Sequence, residues 1–433
     1  MSNFATNPPK TTAGARQSHG SLIPFGSRHL HTSMPAAGSQ RALKLCVVSM
    51  VYYQDPWCSG LSSYYFNLVK SLSDLGHRIF LVVPDGVPTM DGSCLQTSTM
   101  RTPGFVTRGG ANGVRERVGG IAHRLLFSYQ VLRKVRDLDR SVDLDLVISP
   151  ELFAPGLLVA LFTGNKLVTR IHTPAYIGDR HDERYRFAWL RRLQTLAEKI
   201  QVKRSAGLSV ASVHLASVIA RDWRIPREKL RIIPNSVQLD WVRGLAAKAR
   251  REVTGRYLLY VGRIERKKGV HILSRSLNAV LAGRDDITMI FAGRDCGLRE
   301  AILQENRRFR DRIVFLDTVE KGRLFGLVRF ADLVILPSLW ENCSNAGLEA
   351  MALGRPVIGT YRTAFEEIIE DGINGFLVEP GNAGDLAGKI LSSLGRPDLE
   401  RIGRRAYESV LRFDSRTVAA EIVEFYRGTL AAP

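Results

Sequence analysis

Short apolar runs alternate with amphipathic stretches along most of the chain. LKLCVVSM (43–50) and RIFLVVP (78–84) are compact apolar runs, and SYYFNLVKSLSDLG (63–76) between them has helical spacing and ends at a glycine. Further strand-like runs lie at 145–149, 166–171, 207–212 and 230–235. This alternation predicts a parallel sheet that is covered by helices on both faces.

The same alternation restarts in the second half of the chain. Six more apolar runs lie at 257–263, 287–293, 312–317, 332–338, 356–360 and 375–380. A charged helical stretch around residues 238–255 joins the two series. The pattern therefore predicts an α/β fold of two facing, doubly wound, Rossmann-like domains. A ligand is expected in the cleft between them, beside the carboxyl ends of the strands.

These patterns divide the chain into a tail (1–41), a first domain (42–237), a second domain (238–412) and a C-terminal helix (413–433) that packs back towards the first domain. The tail contains no Asp or Glu and is rich in Ser, Thr, Ala, Gly and Pro, a composition typical of disorder. A transit peptide is one alternative for this segment, and a translation start assigned upstream of Met34 is another.

Composition narrows the possible partners of the protein. The formal net charge of +19 is explained either by an anionic partner or by solubility alone. The candidate partners are a phosphorylated small molecule, an anionic membrane surface and nucleic acid. Nucleic acid ranks last, because the chain has no motif of a nucleic-acid-binding module. No segment has the length of apolar sequence that a membrane span needs. The five cysteines are scattered without metal-site spacing, which favours a reducing cytoplasm.

The stretch SLWENCSNAGLEAMALGRPVIGT (338–360) places two carboxylates, Glu341 and Glu349, around the start of a short apolar helix. Ser344 or Asn345 is suited to cap this helix. Amides at a helix N-terminus form an anion site that would hold a diphosphate. The amides in question belong to Asn345, Ala346, Gly347 and Leu348. The alternative is a capped helix whose acids complement its dipole, a contribution of about 0.3–1 kcal/mol.

A second basic stretch favours the anion site over that alternative. YVGRIERKKGVHIL (260–273) leaves a predicted strand and places Arg263 and Lys268 in the loop that follows. Cations at the carboxyl end of a strand are placed to bind phosphate oxygens. Arg266 and Lys267 are interpreted as solvated loop residues.

Together these motifs resemble the donor site of the retaining glycosyltransferases of family 4, the glycogen-synthase-like group with the GT-B fold. The resemblance extends over residues 43–427. Its motifs are Gly-Arg-x4-Lys-Gly (262–269), Glu-x7-Glu with the following Ala-Met-Ala-x-Gly-x-Pro-Val (341–357), a Gly-Leu-Ser turn (60–62), Gly-His-Arg-Ile (76–79), RIHTP around His172, Pro-Asn-Ser-Val (234–237) and DGINGFLVEPGN (371–382).

The resemblance implies roles for individual residues. Arg263 and Lys268 would bind the donor diphosphate and neutralise charge on the leaving nucleotide. Glu349 would hold the ribose hydroxyls, and Glu341 would contact the donor sugar or its phosphate. His172 would lie near the transferred sugar.

The resemblance also assigns the two domains. The first would bind the acceptor, and the second would bind a nucleoside-diphosphate sugar. Gly60 would approach the phosphate closely, where a side chain would not fit. The acceptor would be a glycan, a lipid-linked sugar or a small molecule, and retention of configuration is implied for the transfer.

The family chemistry requires no metal or other cofactor, because cations and helix amides absorb the charge of the leaving diphosphate. Two Asp-Leu-Asp triplets (137–139 and 143–145) are interpreted as structural. The chain departs from the family pattern in two places. Thr363 and Ala364 replace a common Gly pair, and 341–344 reads Glu-Asn-Cys-Ser where Glu-Gly-Phe-Gly is common. Both changes border the predicted sugar pocket.

Other functions remain as alternatives. A sugar-nucleotide epimerase shares the architecture, and a non-catalytic sugar-nucleotide-binding relative is a further possibility. A dinucleotide oxidoreductase is disfavoured because the chain has no Gly-x-Gly-x-x-Gly. The basic, aromatic helices at 123–138 and 184–204 fit a peripheral contact with an anionic membrane such as the inner face of the plasma membrane. The alternative is that their apolar residues pack inward.

Overall fold

The computed structural model describes residues 41–49, 60–84, 94–100, 114–163, 166–178 and 188–432. The predicted tail lies outside these ranges except for its last residue, Arg41. Residues 40–433 form one compact unit that contains both predicted sheets.

The first sheet has seven parallel strands in the order β3-β2-β1-β4-β5-β6-β7. They are β1 (Lys44–Val48), β2 (Arg78–Pro84), β3 (Leu95–Met100), β4 (Leu146–Pro150), β5 (Leu167–Ile171), β6 (Gly207–Val210) and β7 (Leu230–Ile232). The sequence predicts six of these strands. It does not predict β3, because LQTSTM carries no apolar run and, at the edge of the sheet, needs none.

Helices cover both faces of this sheet. They are α1 (Gly60–Asp74), α2 (Val114–Val142), α3 (Leu157–Phe162), α4 (Ala175–Gly178), α5 (Ala188–Arg204) and α6 (Val213–Trp223). Leu45 and Val47 of β1 pack in the cluster that holds α1, whereas Cys46 and Val48 pack in the cluster that holds α2. Residues 60–62, which the sequence suggests as a turn, are instead the first residues of α1.

The second sheet has six parallel strands in the order β10-β9-β8-β11-β12-β13. They are β8 (Arg256–Val261), β9 (Ile287–Ala292), β10 (Ile313–Leu316), β11 (Leu333–Ile335), β12 (Val357–Thr360) and β13 (Phe376–Val378). The helices in this half are α7 (Leu239–Lys248), α8 (Val270–Gly283), α9 (Arg299–Glu305), α10 (Lys321–Phe330), α11 (Asn345–Ala352), α12 (Ala383–Leu394) and α13 (Leu399–Val410). Alternate residues of β8 again enter opposite cores, so the predicted doubly wound fold is confirmed.

The last helix, α14 (Ser415–Ala431), packs on the first half of the molecule. Val418, Ile422 and Tyr426 are buried against α1 and the first sheet. The chain segments that pass between the halves lie side by side, because the amide of Val237 donates to the carbonyl of Phe413 at 2.9 Å. Over the described ranges, no helix is long and apolar enough to cross a membrane.

Candidate active site at the facing strand ends

The N-terminus of α11 lies in a loop at the carboxyl end of β11. Ser344 is the N-cap, and its hydroxyl accepts a hydrogen bond from the amide of Gly347 at 3.2 Å. The amide of Leu348 donates to the carbonyl of Ser344 at 2.9 Å. The sequence suggests four amides as an anion site. Those of Gly347 and Leu348 make the two bonds just described, and those of Asn345 and Ala346 do not.

Asn345 joins this helix to the other half of the molecule. Its amide Nδ2 donates to the carbonyl of Gly60 at 2.8 Å, and its Oδ1 accepts from Asn235 at 3.0 Å. The N-termini of α1 and α11 consequently meet across the cleft. A Cβ on Gly60 would be 3.6 Å from Asn345 Nδ2, which is an ordinary van der Waals contact.

Glu349 is one turn into α11, and it is paired with a lysine that the sequence analysis does not single out. Lys321 Nζ, at the start of α10, lies 2.8 Å from Glu349 Oε1, and the Glu349 side chain is 13% exposed. The sequence signal for Lys321 is weak: it is a single cation shortly after β10, outside any motif. The half-buried pair places a positive charge next to the carboxylate that is predicted to hold the ribose.

Glu341 and Lys268 form a second pair at the other side of the helix N-terminus. Lys268 Nζ lies 2.8 Å from Glu341 Oε2, with the Glu341 side chain 13% exposed. Arg263 lies nearby on the same loop, with its guanidinium 3.0 Å from Glu265. The structure thus brings the predicted donor-binding residues Arg263, Lys268 and Glu341 to one end of the second sheet.

Lys267 differs from its prediction as a solvated residue, whereas Arg266 is exposed as expected. The Lys267 side chain is partly buried, and burial lowers the pKa of its ammonium, with Lys268 and Arg263 as further causes. Three cations therefore crowd the end of β8. Glu265 and Glu341 offset part of this positive charge, and a bound diphosphate would offset more of it.

Gly269 fixes the basic loop against the neighbouring strand. Its φ of 69° lies in the left-handed region, and a Cβ at this position would be 1.7 Å from the carbonyl oxygen of Pro337. Because no side chain fits there, the backbone that follows Lys268 approaches the chain that leads to Glu341.

His172 follows β5 in the first half of the molecule. Its ring meets that of Tyr64 edge to face at 4.7 Å, and its Nε2 is buried with no hydrogen-bond partner among the described residues. Burial lowers the pKa of the imidazole well below 6.5, and Arg170 lowers it further. The imidazole is therefore neutral at physiological pH, with one nitrogen left for a ligand.

Two buried glutamates that the sequence analysis missed hold the loop of His172. Glu151 accepts hydrogen bonds from the amides of His172 at 2.9 Å and Thr173 at 2.7 Å. Glu198 accepts from the amide of Ala175 at 3.0 Å. Burial raises the pKa of Glu151 to about 8, with repulsion from Glu198 as the next cause, and burial raises the pKa of Glu198 to about 7. The only sequence signal for Glu151 is its place directly after β4.

Arg170 is a further buried group, and it holds Asn235, the residue that links the halves. Its guanidinium donates to the carbonyl of Ile233 at 2.6 Å and to Asn235 Oδ1 at 3.1 Å. Asn235 in turn donates to the carbonyl of Cys343 at 3.0 Å and to Asn345. The Pro-Asn-Ser-Val motif thus serves as a bridge from the first sheet to the N-terminus of α11.

The two departures from the family pattern both lie at contacts between the halves. Asn342 Nδ2 donates to Thr173 Oγ1 at 2.6 Å. Thr363 caps a short 3-10 helix, Ala364–Glu367, and Glu367 accepts hydrogen bonds from the amides of Val213 and His214. These residues tie the loops after β11 and β12 to those after β5 and β6.

The Asp-Leu-Asp triplets lie away from these groups. Asp139 binds Lys166 and the amide of Leu144, and Asp145 accepts from the amide of Lys44 at 2.7 Å. Asp139 and Asp145 thus contact a lysine side chain and main-chain amides of the first half. Over the part of the chain that the structure describes, no three His, Cys, Asp or Glu side chains are grouped as a metal ligand set.

Two family models match the chain. Residues 58–241 match the Glycosyltransferase Family 4 model, and residues 255–396 match the model described as Glycosyl transferases group 1. The two segments correspond to the two halves of the fold.

Individual relatives agree with these matches. A phosphatidyl-myo-inositol mannosyltransferase of Mycobacterium leprae is 30% identical over 197 residues, which are 45% of this chain and 52% of that protein, so the alignment spans about half of the relative. Its namesake from Mycolicibacterium smegmatis is 25% identical over 85% of this chain and 89% of its own length. Sucrose-phosphate synthase from Thermosynechococcus elongatus shares the fold, with a TM-score of 0.74 at 19% identity over 90% of this chain and 100% of that chain.

Proposed function

The chain belongs to the family 4 glycosyltransferases, and from this we propose that it moves a hexose from a nucleoside-diphosphate sugar to a glycan or lipid-linked acceptor with retention of configuration. The observation that carries the proposal is the N-terminus of α11, flanked by the pairs Lys268–Glu341 and Lys321–Glu349. A diphosphate at the free amides would place a ribose beside Glu349 and a sugar beside Glu341. The lipid-linked class is supported by the names of the mycobacterial relatives.

The proposed chemistry rests on positioning and on charge. As the bond between the sugar and the diphosphate breaks, negative charge grows on the leaving oxygen. Arg263, Lys268 and the amides of Asn345 and Ala346 would stabilise that charge without moving far. His172, neutral and held by Glu151, would contact the transferred sugar from the opposite wall of the cleft. We propose that the enzyme requires no metal or other cofactor.

A thermal-shift screen tests this function. UDP, GDP and ADP would be compared with their glucose and mannose conjugates, since a ligand that binds the folded state raises the unfolding midpoint. Stabilisation of the wild type by one nucleotide class, and its loss in Lys268→Ala, is the expected result. If none of these nucleotides and conjugates stabilises the folded wild-type protein, the proposed donor site is wrong. Conversion of the sugar nucleotide in a reaction that contains no acceptor would instead favour the epimerase alternative.

We propose that the acceptor is reached at an anionic membrane surface, because one face of the first half is apolar and basic. Large apolar side chains on three adjoining helices are between 41% and 59% exposed. They are Leu125, Leu126 and Tyr129 on α2, Leu161 and Phe162 on α3, and Trp189, Leu193 and Leu196 on α5. The parts of α2 and α5 that carry them are joined by a hydrogen bond from Arg124 to Gln194.

The α5 helix reverses the usual arrangement of a surface helix, in which apolar residues face the interior and polar residues face solvent. Glu198, Gln201 and Val202 face the interior, whereas Trp189, Leu193 and Leu196 face outward. The expectation that its apolar residues pack inward is therefore wrong for these three. Glu198 is the one acid on α5 and it is buried, so the exposed surface of the helix is basic as well as apolar. This combination fits the interface of an anionic bilayer.

Vesicle sedimentation tests the membrane contact. Wild-type protein is expected to sediment with phosphatidylglycerol-containing vesicles and not with pure phosphatidylcholine. The triple change of Trp189, Leu193 and Leu196 to Ser should abolish this binding, whereas Leu411→Ser, at an equally exposed leucine in the second half, should not. Equal sedimentation of the triple variant and wild type would overturn the contact. We propose a cytoplasmic location for this surface, because the five cysteines are scattered along the chain as in proteins of a reducing compartment.

A further inference from the structure

Several polar atoms that line the contact between the halves are buried and unpaired. The loop after β11 contributes Asn342 Oδ1 and Trp340 Nε1, and the first half contributes His172 Nε2 and His214 Nε2. None of the four has a hydrogen-bond partner within the described part of the chain. The rings of Trp340 and His214 lie 5.0 Å apart, so these two groups face each other across the cleft. Buried polar groups almost always have a partner, so unpaired ones at a binding site indicate where a ligand bonds.

Of these four residues, Asn342 is the one that lies between the two residues of the site that are predicted to contact the sugar. It is 9% exposed and directly follows Glu341, which is predicted to contact the donor sugar. Its Nδ2 donates to Thr173, which directly follows His172, the other predicted neighbour of the sugar. The side chain of Asn342 thus spans the space between the two residues that are placed on the sugar side of the site.

One atom of the Asn342 amide is left over whichever way the group is oriented. With Nδ2 directed to Thr173 Oγ1, the oxygen is unpaired. If the amide were turned, the oxygen would accept from Thr173 and the nitrogen would be unpaired. Glycine is common at this position in the family that the chain resembles, and a glycine would leave neither the link to Thr173 nor the extra polar atom.

We infer that Asn342 determines which sugar the donor carries, through a hydrogen bond between its free amide atom and a ring hydroxyl of the hexose. The inference rests on the proposed function, because it requires a nucleotide sugar in the cleft. A site with a buried amide strongly prefers a sugar whose hydroxyl bonds to that amide. A sugar without this hydroxyl leaves the amide unpaired. Asn342 would therefore distinguish hexoses that differ at one hydroxyl, while the nucleotide is held by other residues.

The test compares nucleotide with nucleotide sugar in the same variants. Affinities for the nucleoside diphosphate alone and for its glucose and mannose conjugates would be measured for wild type, Asn342→Gly and Asn342→Ser. Asn342→Gly is expected to bind the free diphosphate within about twofold of wild type, while the preference between the two hexoses falls about tenfold or more. Asn342→Ser keeps a short polar group, so its preference between the two hexoses should lie between those of wild type and Asn342→Gly. Thr173→Val, which removes the other end of the hydrogen bond but keeps Asn342, should retain most of the preference.

The outcomes separate the two proposals. A wild-type enzyme that prefers one hexose, with the same preference in folded Asn342→Gly, would overturn the role of Asn342 and leave the proposed function intact. A wild type that binds neither the diphosphate nor its conjugates would overturn both. Equal loss of diphosphate and conjugate binding in Asn342→Gly would also contradict the inference, because it would indicate a general structural role.

Discussion

The carboxylate of Glu367 lies 2.8 Å from the main-chain nitrogen of His214, although 153 positions separate the two residues. The second carboxylate oxygen accepts from the amide of Val213 at 2.9 Å. These amides open α6, so a side chain from the second half of the molecule caps a helix of the first half. The contact is a carboxylate at the positive end of a helix dipole, which stabilises the contact between the two halves.

Glu367→Ala should loosen this contact. Loss of a helix-capping carboxylate costs roughly 1–2 kcal/mol, and we expect a lower unfolding midpoint together with a larger radius of gyration in small-angle scattering without ligand. Glu366→Ala is the matched control, because Glu366 is the exposed neighbour on the same 3-10 helix. Equal behaviour of the two variants would show that the cap does not hold the halves together.

Lys321→Ala tests whether the pair with Glu349 belongs to the donor site. Without Lys321 the Glu349 carboxylate loses the ammonium 2.8 Å away. A charged hydrogen bond contributes about 1.5–3 kcal/mol, so we expect at least tenfold weaker nucleotide binding by calorimetry in Lys321→Ala, Glu349→Ala and Lys268→Ala, without unfolding. Lys389→Ala, at a lysine paired with Asp371 on the surface, should bind as wild type does. Unchanged affinity in all three site variants would remove the donor assignment.

The strands were predictable because buried parallel strands are continuous apolar runs. All six strands of the second sheet follow this rule, from YLLYV at β8 to FLV at β13. Edge strand β3 has no such run, so its sequence contains little that distinguishes it from a loop. The motif residues Arg263, Lys268, Glu341 and Glu349 are brought to the same cleft because each follows a strand of the same sheet.

The partners of those residues could not be predicted from the sequence. Lys321 and Glu151 lie outside any motif, and their contacts depend on the distance between separate strand ends. The outward face of α5 was not predictable either. Glu198 and Gln201 point inward because buried backbone groups need partners: Glu198 accepts from the amide of Ala175, and Gln201 donates to the carbonyl of Pro150 at 2.8 Å. This leaves Trp189, Leu193 and Leu196 on the exposed side of the helix.

Turnover is expected to persist in excess EDTA. The proposed site meets the charge of the leaving diphosphate with Arg263, Lys268 and helix amides, so removal of divalent ions should change kcat by less than about twofold. The measurement is the initial rate with and without the chelator, after dialysis against it. Loss of activity that Mg²⁺ or Mn²⁺ restores would contradict a metal-independent mechanism.

His172→Ala should lower kcat more than it weakens donor binding, because the residue is predicted to contact the transferred sugar rather than the nucleotide. Because burial and Arg170 hold the pKa of His172 well below 6.5, the residue is neutral throughout the range of about pH 6 to pH 8. The ratio of wild-type to variant kcat should therefore be constant across this range. A ratio that changes with an inflection near pH 6.5 would instead indicate a titrating acid or base. His271→Ala, in α8, is the control.

The buried pair of Glu151 and Glu198 should make stability depend on pH in an unusual direction. Burial raises the pKa of Glu151 to about 8 and that of Glu198 to about 7, so the folded protein retains protons that the unfolded chain releases near pH 4–5. Stability from these groups is therefore present at low pH and is lost as the pH rises towards 8. Glu151→Gln removes one such proton and should reduce the downward slope by up to about 1.4 kcal/mol per pH unit in urea unfolding.

The same change separates the charge of Glu151 from its hydrogen bonds. A glutamine has one acceptor oxygen for the two amides of His172 and Thr173, so Glu151→Gln should also lower kcat by displacing the loop of His172. Glu228→Gln, at an exposed glutamate of the same half, should alter neither the slope nor kcat. A variant with the wild-type slope would show that Glu151 is ionised in the folded state, and the two amides would then be bound by a full negative charge at neutral pH.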